Sequence, residues 1–257
     1  MVRGAGIDCE TLVEYLDDYL QAGQGRDYCP NGLQVEGRRR IHKLVTGVSA
    51  CQALFDRARH LGADALLVHH GLFWEGDSRA LTGVAYRRVA ELVRSEVALL
   101  AYHLPLDRHP EVGNNAVAAR RLGLIDLEPF AFHDGLAVGF SGTFPAPLTP
   151  VELVARCRHL FGAEPLAFLS GPDSITSLGI VSGRAEREVH RAIRQGLDAY
   201  VTGEATEWVM NLVREAGIHY LACGHHATER LGIQALGDHI AMRFDIEVEF
   251  VDVPNPV

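Results

Sequence analysis

The stretch GVSACQALFDRARHLGADALLVHHG, residues 47–71, contains the pattern that decides the fold. It starts at the end of one apolar run, continues through a segment of helical periodicity at 51–61, and closes on a second apolar run at 64–70. A strand, a helix and a further strand in this order are typical of a parallel βαβ unit. The second run ends in two adjacent histidines, His69 and His70, which a purely structural strand end does not require.

A second stretch repeats this order of features later in the chain. Residues 180–205, IVSGRAEREVHRAIRQGLDAYVTGEA, again pass from Val-Ser and a small residue through a helical segment to Gly-x-Asp-Ala and an apolar run. The segments that follow also agree, because LAYHLPLD (100–107) and LACGHHATE (221–229) each place a histidine four residues before a carboxylate. The repetition predicts an α/β fold with two similar lobes built from a duplicated unit.

Strands and helices alternate along most of the chain. Apolar runs rich in Val, Ile and Leu predict strands at 43–49, 64–70, 97–103, 136–144, 177–183, 198–204, 219–226 and 248–253. Helical periodicity predicts helices at 51–61, 84–95, 114–122, 151–161, 185–195 and 205–216. Asp8 is placed to cap the first helix, and Thr149 with Glu152 forms a capping box. We expect the first lobe to cover residues 1–127 and the second 128–257, leaving open that the C-terminal strand crosses back.

Composition and charge exclude several classes of protein. The 257 residues are 47% hydrophobic, enough for a substantial core, and carry a formal net charge of -9. The only basic cluster is Arg38-Arg39-Arg40, whereas a nucleic-acid-binding protein usually has a broad basic face, so nucleic acid is not an expected partner. No apolar stretch approaches the ~20 residues of a membrane helix, so no membrane association is expected.

Cysteine usage indicates the compartment. The five cysteines are scattered and contain no C-x-x-C, which argues against a disulfide framework and against a thiolate zinc site. The N-terminal segment turns acidic at once and has no apolar core of the kind found in signal peptides. A cytoplasmic protein in a reducing compartment is therefore expected.

Candidate metal ligands occur at the ends of three predicted strands. In parallel α/β sheets the functional crevice lies beyond the carboxyl ends of the strands, so residues placed there can converge. The three groups are His69 with His70, His103 with Asp107, and His225 and His226 with Glu229. A single histidine at such a place usually bonds a loop, but the whole set at matching strand ends favours a metal centre.

The double histidine suits a centre with two ions. Neighbouring side chains of a strand point to opposite faces, so His69 and His70 inside a strand could hardly serve one centre. At the strand end, where Gly71 relaxes the backbone, each can hold a different ion of a pair. If a helix begins after residue 224, His225 and Glu229 share one of its faces, and the two oxygens of Glu229 can bridge two ions.

The remaining assignments follow from these ligands. Asp107 supplies a second acid, while His103 is expected to orient a ligand or a water, since Pro105 disfavours a regular helix across the two. Glu204 occupies the position that the repeat gives to His70, and it acts either as a base or orienting acid or only as an acid at a helix N-terminus. His226 remains the adjacent alternative to His225.

The donor set contains only nitrogen and oxygen. Such a set suits two divalent transition-metal ions, with zinc, iron, manganese and cobalt all compatible. Arg184 and Arg187, at the start of the helix after Val-Ser-Gly, are candidates to bind an anionic substrate.

Several motifs together resemble a known family, the NIF-three-like dinuclear-metal proteins, many of which are labelled GTP cyclohydrolase I type 2 homologues. The motifs are DYCPNGLQVEG (27–37), HHGLFW (69–74), HLPLD (103–107), GNNAVAARRLG (113–123), GHHATER (224–230) and VDVPNPV (251–257). The resemblance spans nearly the whole chain and matches the short form of the family, which lacks a domain inserted in mid-chain.

The resemblance implies a structure and a set of ligands. It implies a two-lobed α/β subunit, a toroidal homo-hexamer, and a dinuclear metal site in the cleft between the lobes. Carried over by motif, the ligands are His69, His70, Asp107, His225 and Glu229. The second histidine of the GHH motif is often aromatic in relatives, which favours His225 over His226.

Two functions from different classes agree with these features. The first is a metal-dependent hydrolase acting on a nucleotide or phosphoester, in which His103 or Glu204 moves protons. The second is a ring-shaped, non-catalytic scaffold or regulatory partner whose ions are structural. Five ligands for two ions leave coordination positions open, which favours catalysis.

Overall fold

The computed structural model of the chain describes residues 5–257. Its helices are α1 (Cys9–Tyr19), α2 (Gln52–Leu61), α3 (Gly83–Ser95), α4 (Leu104–Arg108), α5 (Asn114–Leu122), α6 (Pro150–Phe161), α7 (Val189–Gln195), α8 (Glu207–Ala216) and α9 (His225–Arg243). Its strands are β1 (Ile7–Asp8), β2 (Gly32–Val35), β3 (Arg40–Ile41), β4 (Lys43–Ser49), β5 (Ala65–His70), β6 (Ala98–Ala101), β7 (Ile125–His133), β8 (Leu136–Leu148), β9 (Leu166–Leu169), β10 (Ile175–Ile180), β11 (Ala199–Thr202), β12 (His219–Ala222) and β13 (Glu247–Phe250). A short 3₁₀ turn, Glu186–Glu188, leads into α7.

Local signals set the starts and ends of several helices. The Asp8 side chain accepts the backbone N–H of Glu10, which confirms it as the cap of α1. Thr149 and Glu152 form the reciprocal pair of hydrogen bonds of a capping box at the start of α6, as predicted. No helix within residues 5–257 combines the length and the apolar character needed to cross a membrane.

The first compact unit runs up to Leu106 and resumes over Ile233–Pro254. Its sheet has the order β13-β4-β5-β6-β2, in which β13, β4, β5 and β6 are parallel and β2 is antiparallel at the edge. One face of the parallel strands packs on α2, where Leu54, Phe55 and Ala58 join a buried apolar cluster. The strand β5 therefore lies in the middle of this sheet, and its residues from Ala65 to His69 are buried.

The second compact unit consists of Asp107–Gly232 and Asn255–Val257. Its sheet has the order β7-β8-β10-β11-β12-β9, in which β10, β11 and β12 are parallel and the other strands are antiparallel. Apolar clusters lie among its buried residues, one including Leu153 and Phe161 of α6 and another including Val209 and Val213 of α8. Helices thus cover the parallel strands of this unit as well.

The division between the units differs from the predicted join at residues 127 and 128. It falls between Leu106 and Asp107 and again within α9, between Gly232 and Ile233. The first shift arises because α5 packs on β7, β8 and β10, so its buried face belongs to the core of the second unit. The C-terminal strand β13 pairs with β4 and so belongs to the first unit, the option that the sequence left open.

The parallel strands β4, β5 and β6 of the first unit have the same register as β10, β11 and β12 of the second. In the first, Leu44 of β4 pairs with Ala65 of β5, which pairs with Ala98 of β6. In the second, Leu178 of β10 pairs with Ala199 of β11, which pairs with the first residue of β12. In both units the antiparallel edge strand beside the third strand, β2 or β9, precedes the parallel strands in the chain.

The Gly-x-Asp-Ala segments have one structural task in both units. Asp64 accepts hydrogen bonds from the backbone N–H groups of His42 and Lys43, at 2.9 and 3.1 Å. Asp198 accepts the equivalent bonds from the N–H groups at positions 176 and 177, at 2.8 and 3.0 Å. Each aspartate therefore ties the start of the first parallel strand to the turn that leads into the second.

Candidate metal centre

Three histidines of the first unit form a group that we call the imidazole group. His69 and His70 end β5, and His103 comes shortly after the parallel neighbour β6. Their ring centroids lie 4.6 Å apart for His69 and His70, 5.0 Å for His69 and His103, and 5.6 Å for His70 and His103. One ligand nitrogen from each lies within 4.8 Å of the others, so the three rings converge.

Each ring of the imidazole group is held through its Nδ1 atom. His69 donates from Nδ1 to the carbonyl oxygen of Tyr102 at 3.0 Å, and His103 donates from Nδ1 to Oδ1 of Asp27 at 2.7 Å. The Nδ1 of His70 lies 3.0 Å from the hydroxyl of Ser49. Because Nδ1 is engaged in each case, Nε2 is the nitrogen that a metal ion would use.

Asp27 is the most highly hydrogen-bonded carboxylate near the imidazole group. Besides His103, it accepts the N–H groups of Tyr28 at 2.6 Å and Leu104 at 2.9 Å, and the side-chain amide of Asn31 at 2.9 Å. Burial raises the pKa of Asp27, but the hydrogen bond and charge of His103 and the other donors outweigh it and lower the pKa to about 2. Asp27 is therefore an anion at neutral pH.

Aromatic rings border the imidazole group. The Trp74 ring centroid lies 5.1 Å from that of His103, edge to face, and 5.7 Å from that of His70. The indole Nε1–H of Trp74 points to the carbonyl oxygen of Gly71, at 3.3 Å. Trp74 thus packs against two of the three imidazoles.

The second unit carries a group richer in acids, which we call the carboxylate group: Asp107, His225 and Glu229. Asp107 lies in α4 and is only 6% exposed. Its Oδ1 accepts the side-chain N–H of Asn114 at 2.9 Å and the hydroxyl of Ser182 at 3.0 Å. These two bonds fix the orientation of the carboxylate.

His225 and Glu229 lie one turn apart near the start of α9. Nε2 of His225 is 3.2 Å from Oε1 of Glu229, and its Nδ1 is 2.5 Å from Oε1 of Glu204. Burial lowers the pKa of His225, but its hydrogen bonds and charge interactions with Glu229 and Glu204 outweigh burial and raise it to about 9. Glu204 thus contacts the side of the His225 ring that faces away from Glu229.

Two glycines make room for the carboxylate group. Gly183 has a positive φ of +64°, and a Cβ added there would lie 2.3 Å from Oε1 of Glu229 and 3.2 Å from Nε2 of His225. A Cβ at Gly203 would lie 2.7 Å from the Cα of His225. Glycine at these two positions therefore allows the loop after β10 and the end of β11 to approach α9 this closely.

The donors fit a borderline divalent ion such as zinc, iron or cobalt. His69 is fully buried and Glu229 is 3% exposed. Burying either side chain costs free energy unless it interacts with a polar group or an ion. Imidazole nitrogens held through Nδ1 and carboxylates held by hydrogen bonds are the usual components of transition-metal sites.

The other predicted residues lie at defined places. Arg184 and Arg187 are exposed at the start of the segment that leads into α7. The His226 side chain is buried and its backbone N–H donates to the carbonyl oxygen of Val257 at 2.9 Å, while His225 is the residue brought to Glu229. Pro105 is accommodated in the first turn of α4, a short helix that begins after His103 and contains Asp107.

Several polar residues to which the sequence patterns assign no role form hydrogen bonds with the candidate ligands or with the segments that carry them. They are Ser49, Asp27, Asn31, Asn114, Asn115 and Ser182. Four of them lie in the quoted motifs DYCPNGLQVEG and GNNAVAARRLG, where polar residues beside apolar runs were the available signal. Asn114 and Asn115 are both fully buried, which a pair of asparagines rarely is without a partner.

Comparison with known proteins identifies the relatives of this chain. The GTP cyclohydrolase 1 type 2 homolog of Pseudomonas aeruginosa is 46% identical over 250 residues, covering 97% of this chain and 99% of that protein. The protein of the same name from Allochromatium vinosum is 43% identical over 249 residues, covering 97% of each chain.

Solved structures agree over the same length. The structure titled protein ybgI, unknown function, superposes with a TM-score of 0.93 at 38% identity, covering 98% of this chain and 100% of that one. The protein TTHA1606 from Thermus thermophilus superposes with a TM-score of 0.89 at 37% identity, with the same coverage. The mixed α/β fold is therefore that of these proteins.

The family profile described as Duf34/NIF3 (NGG1p interacting factor 3) matches residues 7–256. This match and the relatives confirm the resemblance seen in the motifs. The chain belongs to the Duf34/NIF3 family.

Proposed function

We propose that the chain binds two divalent transition-metal ions and uses them to hydrolyse a nucleotide or another phosphoester. The proposed ligands are His69, His70, Asp107, His225 and Glu229. The observation that carries the proposal is that four of the five donor groups, those of His69, His70, Asp107 and His225, are hydrogen-bonded to a further protein group. His69 is held by a carbonyl, His70 by a hydroxyl, and Asp107 by an amide and a hydroxyl. Such support is what a metal ligand needs and what a surface polar residue lacks.

When bound, a pair of divalent ions lowers the pKa of water and neutralises charge on a phosphoryl group. The chain's own side chains divide the remaining work. Glu204 keeps Nδ1 of His225 protonated and so directs Nε2 of that ring to the ions. His103, beside His69 and His70, is placed to exchange a proton with substrate or water. Arg184 and Arg187 are the candidates for binding the negative charge of the substrate.

The name carried by the relatives suggests the first substrate to test. The homologues from Pseudomonas aeruginosa and Allochromatium vinosum are named for GTP cyclohydrolase. GTP contains both a triphosphate and a purine base, so opening of the purine ring and release of phosphate are distinct reactions with distinct products. Both should be assayed on one sample.

We further propose that the two units derive from a duplicated α/β unit, each contributing ligands. The equal register of the parallel strands and the equal task of Asp64 and Asp198 support this origin. They also support the view that each copy of the α/β unit acquired its own donor residues at the carboxyl ends of its strands.

A toroidal homo-hexamer in the cytoplasm is the state that the family resemblance implies. Exposed apolar side chains on α3, including Val84, Tyr86 and Val93, support self-association. All five cysteines lie within the described residues and are free thiols, in keeping with a reducing compartment. Light scattering coupled to gel filtration tests the hexamer, and a monomer at micromolar concentration would overturn it.

The second candidate is a metal-binding scaffold or regulatory partner without catalysis. The same apolar surface on α3 is the observation that favours it, because a catalytic site alone does not require such a surface. The two candidates differ in turnover and not in metal content.

The deciding experiment combines metal analysis with a substrate screen. The untagged protein, purified without chelator, is expected to contain about two transition-metal ions per chain, as the two-metal mechanism requires. The loaded protein is then assayed with GTP, other nucleotides and model phosphoesters. Two ions with turnover support the hydrolase, two ions without turnover support the scaffold, and no ion after anaerobic reconstitution with iron, zinc or manganese overturns both.

A further inference from the structure

His103 can belong to either of two clusters of donor atoms in the first unit. One cluster joins it to His69 and His70, and the other joins it to Asp27 and Cys29. Both sets bring a ligand atom from each residue within 4.8 Å of the others. The hydrogen bonds of the cluster members decide between them.

In the cluster with Asp27 and Cys29, the carboxylate is already fully hydrogen-bonded. Asp27 accepts two N–H groups on Oδ1, from Tyr28 and the His103 ring, and two on Oδ2, from Asn31 and Leu104. A carboxylate has about four lone-pair sites, so these four bonds use its capacity.

The same hydrogen bonds fix His103 for the other cluster. Asp27 accepts N–H groups on both of its oxygens, so Nδ1 of His103 donates to it and the lone pair that a metal ion would use is that of Nε2. The backbone N–H of His103 donates to Oδ1 of Asn31 at 2.8 Å, so one loop holds both the ring and the main chain. The lone pair of Nε2 is thereby held beside His69 and His70.

We propose that His103 is itself a metal ligand, the third imidazole donor of the first unit, and that Asp27 and Asn31 are its positioning residues. The inference rests on the proposed function and extends its ligand set from five residues to six. It also replaces the proton-exchanging role that the proposed function gives to His103, because an Nε2 atom bound to an ion cannot exchange a proton with substrate. Asp27 performs the orienting task, and the imidazole binds the ion.

This assignment has a consequence for the class of metal. Three imidazole donors in one unit favour ions that prefer nitrogen, namely zinc, cobalt, nickel and copper. Magnesium and calcium prefer all-oxygen sites, and manganese stands lowest in the affinity order for such donors. The imidazole group should therefore select cobalt over manganese.

The test is a titration of the metal-free, untagged full chain with Co²⁺, followed by visible absorption and by equilibrium dialysis. His103→Gln is expected to weaken the binding of one Co²⁺ by about 10-fold or more and to change the visible band. Asp27→Asn, which keeps the His103 ring, is expected to weaken the same binding step by about 10-fold. His60→Gln, a histidine on the exposed side of α2, is the matched control and should bind as the wild type does.

The double variant separates positioning from general damage. If Asp27 acts through His103, adding Asp27→Asn to His103→Gln causes no further loss of Co²⁺ affinity. An additive loss would overturn the positioning role of Asp27. The unfolding temperature of each metal-free variant is measured in parallel, and Asp27→Asn decides the matter if His103→Gln does not fold.

The outcomes also distinguish this inference from the function on which it rests. A wild-type chain that binds no Co²⁺ would overturn the proposed function. A wild-type chain that binds Co²⁺, with unchanged affinity and spectrum in both His103→Gln and Asp27→Asn, would overturn only the assignment of His103 as a ligand.

Discussion

The imidazole group and the carboxylate group occupy the same kind of place but present different donors. Each lies at the carboxyl ends of three parallel strands with the same register. The first group consists of imidazoles held by neutral or anionic oxygens, whereas the second combines one imidazole with carboxylates. The strands therefore determine where the donors lie, and the few residues after each strand determine which donors they are.

The segments after β6 and β12 show how a single residue changes the position of the histidine. The N–H of Tyr102 donates to the carbonyl of Val68, and the N–H of Cys223 donates to the carbonyl of Thr202, so these two residues are structurally equivalent. The next residue is His103 in the first unit but Gly224, with a φ of +93°, in the second. His225 therefore lies one position later after its strand than His103 does, although each histidine precedes a carboxylate by four residues.

The largest expected effect is on the carboxylate group alone. Glu229→Gln removes the buried carboxylate that can bridge two ions while keeping its shape, so metal content should fall from about two ions per chain to about one or fewer. Elemental analysis and circular dichroism measure the content and the fold. Unchanged metal content would remove Glu229 as a ligand and make the imidazole group sufficient.

Alanine substitutions at Gly183 and Gly196 test whether the close approach of the main chain at Gly183 to α9 is important. Gly183→Ala and Gly196→Ala both force a residue with a side chain into positive φ, at a cost of about 1–2 kcal/mol. A Cβ at Gly183 also collides with Glu229, whereas a Cβ at Gly196 meets nothing within 4 Å. Urea unfolding should show a larger loss for Gly183→Ala, and only this variant should lose metal affinity. Equal effects on both readouts would show that the close approach is unimportant.

The raised pKa of His225 predicts a pH dependence of the metal-free protein. A histidine whose pKa rises from 6.5 to about 9 on folding stabilises the fold fully below pH 6.5 and loses that contribution as pH rises through 9. We expect the metal-free chain to lose about 1–3 kcal/mol over this window and His225→Gln to lose less. Urea unfolding between pH 6 and 9.5 measures it. Parallel curves for the two proteins would contradict the assignment.

The smallest expected effects compare the two structural aspartates. Asp64→Asn should cost about 1–3 kcal/mol, because Asp64 is 2% exposed and also binds Arg38. Asp198→Asn should cost less, about 1 kcal/mol, because its partners are neutral.

The pH dependence of stability in acid gives a further check on Asp64. Burial raises the pKa of Asp64, but its backbone and Arg38 partners outweigh burial and lower it below 3.8. Its stabilisation is therefore present above pH 3.8 and is lost as pH falls through the lowered pKa. The difference between wild type and Asp64→Asn should shrink in acid, and a constant difference would point to packing.

The sequence predicts the parallel strands well and the edge strands poorly. The run at 43–49 coincides with β4, because a buried parallel strand is continuously apolar. The strands β2, β7 and β9 were not predicted, since β2 and β9 have four residues each and β7 contains Pro129. Edge strands need neither length nor a continuous apolar run.

The same contrast applies to the site. The ligand candidates could be selected because they stand at strand ends, where position in the sequence implies position in the sheet. The groups that hold them could not, because their partners are far apart in the chain. Asp27 and His103 are separated by 76 residues, and Asn115 and Ser182 by 67. No local pattern reports such a pairing.

The pairing of β13 with β4 has a consequence for synthesis on the ribosome. About 200 residues separate Lys43 from Glu247, so at ~5–20 residues per second the outer edge of β4 waits ~10–40 s for its neighbour. Meanwhile Asp107–Gly232, most of the second unit, has emerged as one continuous segment. The nascent first unit therefore exposes an unpaired parallel edge while the second unit can already fold, and an unpaired strand edge of this kind can pair with another chain and cause aggregation.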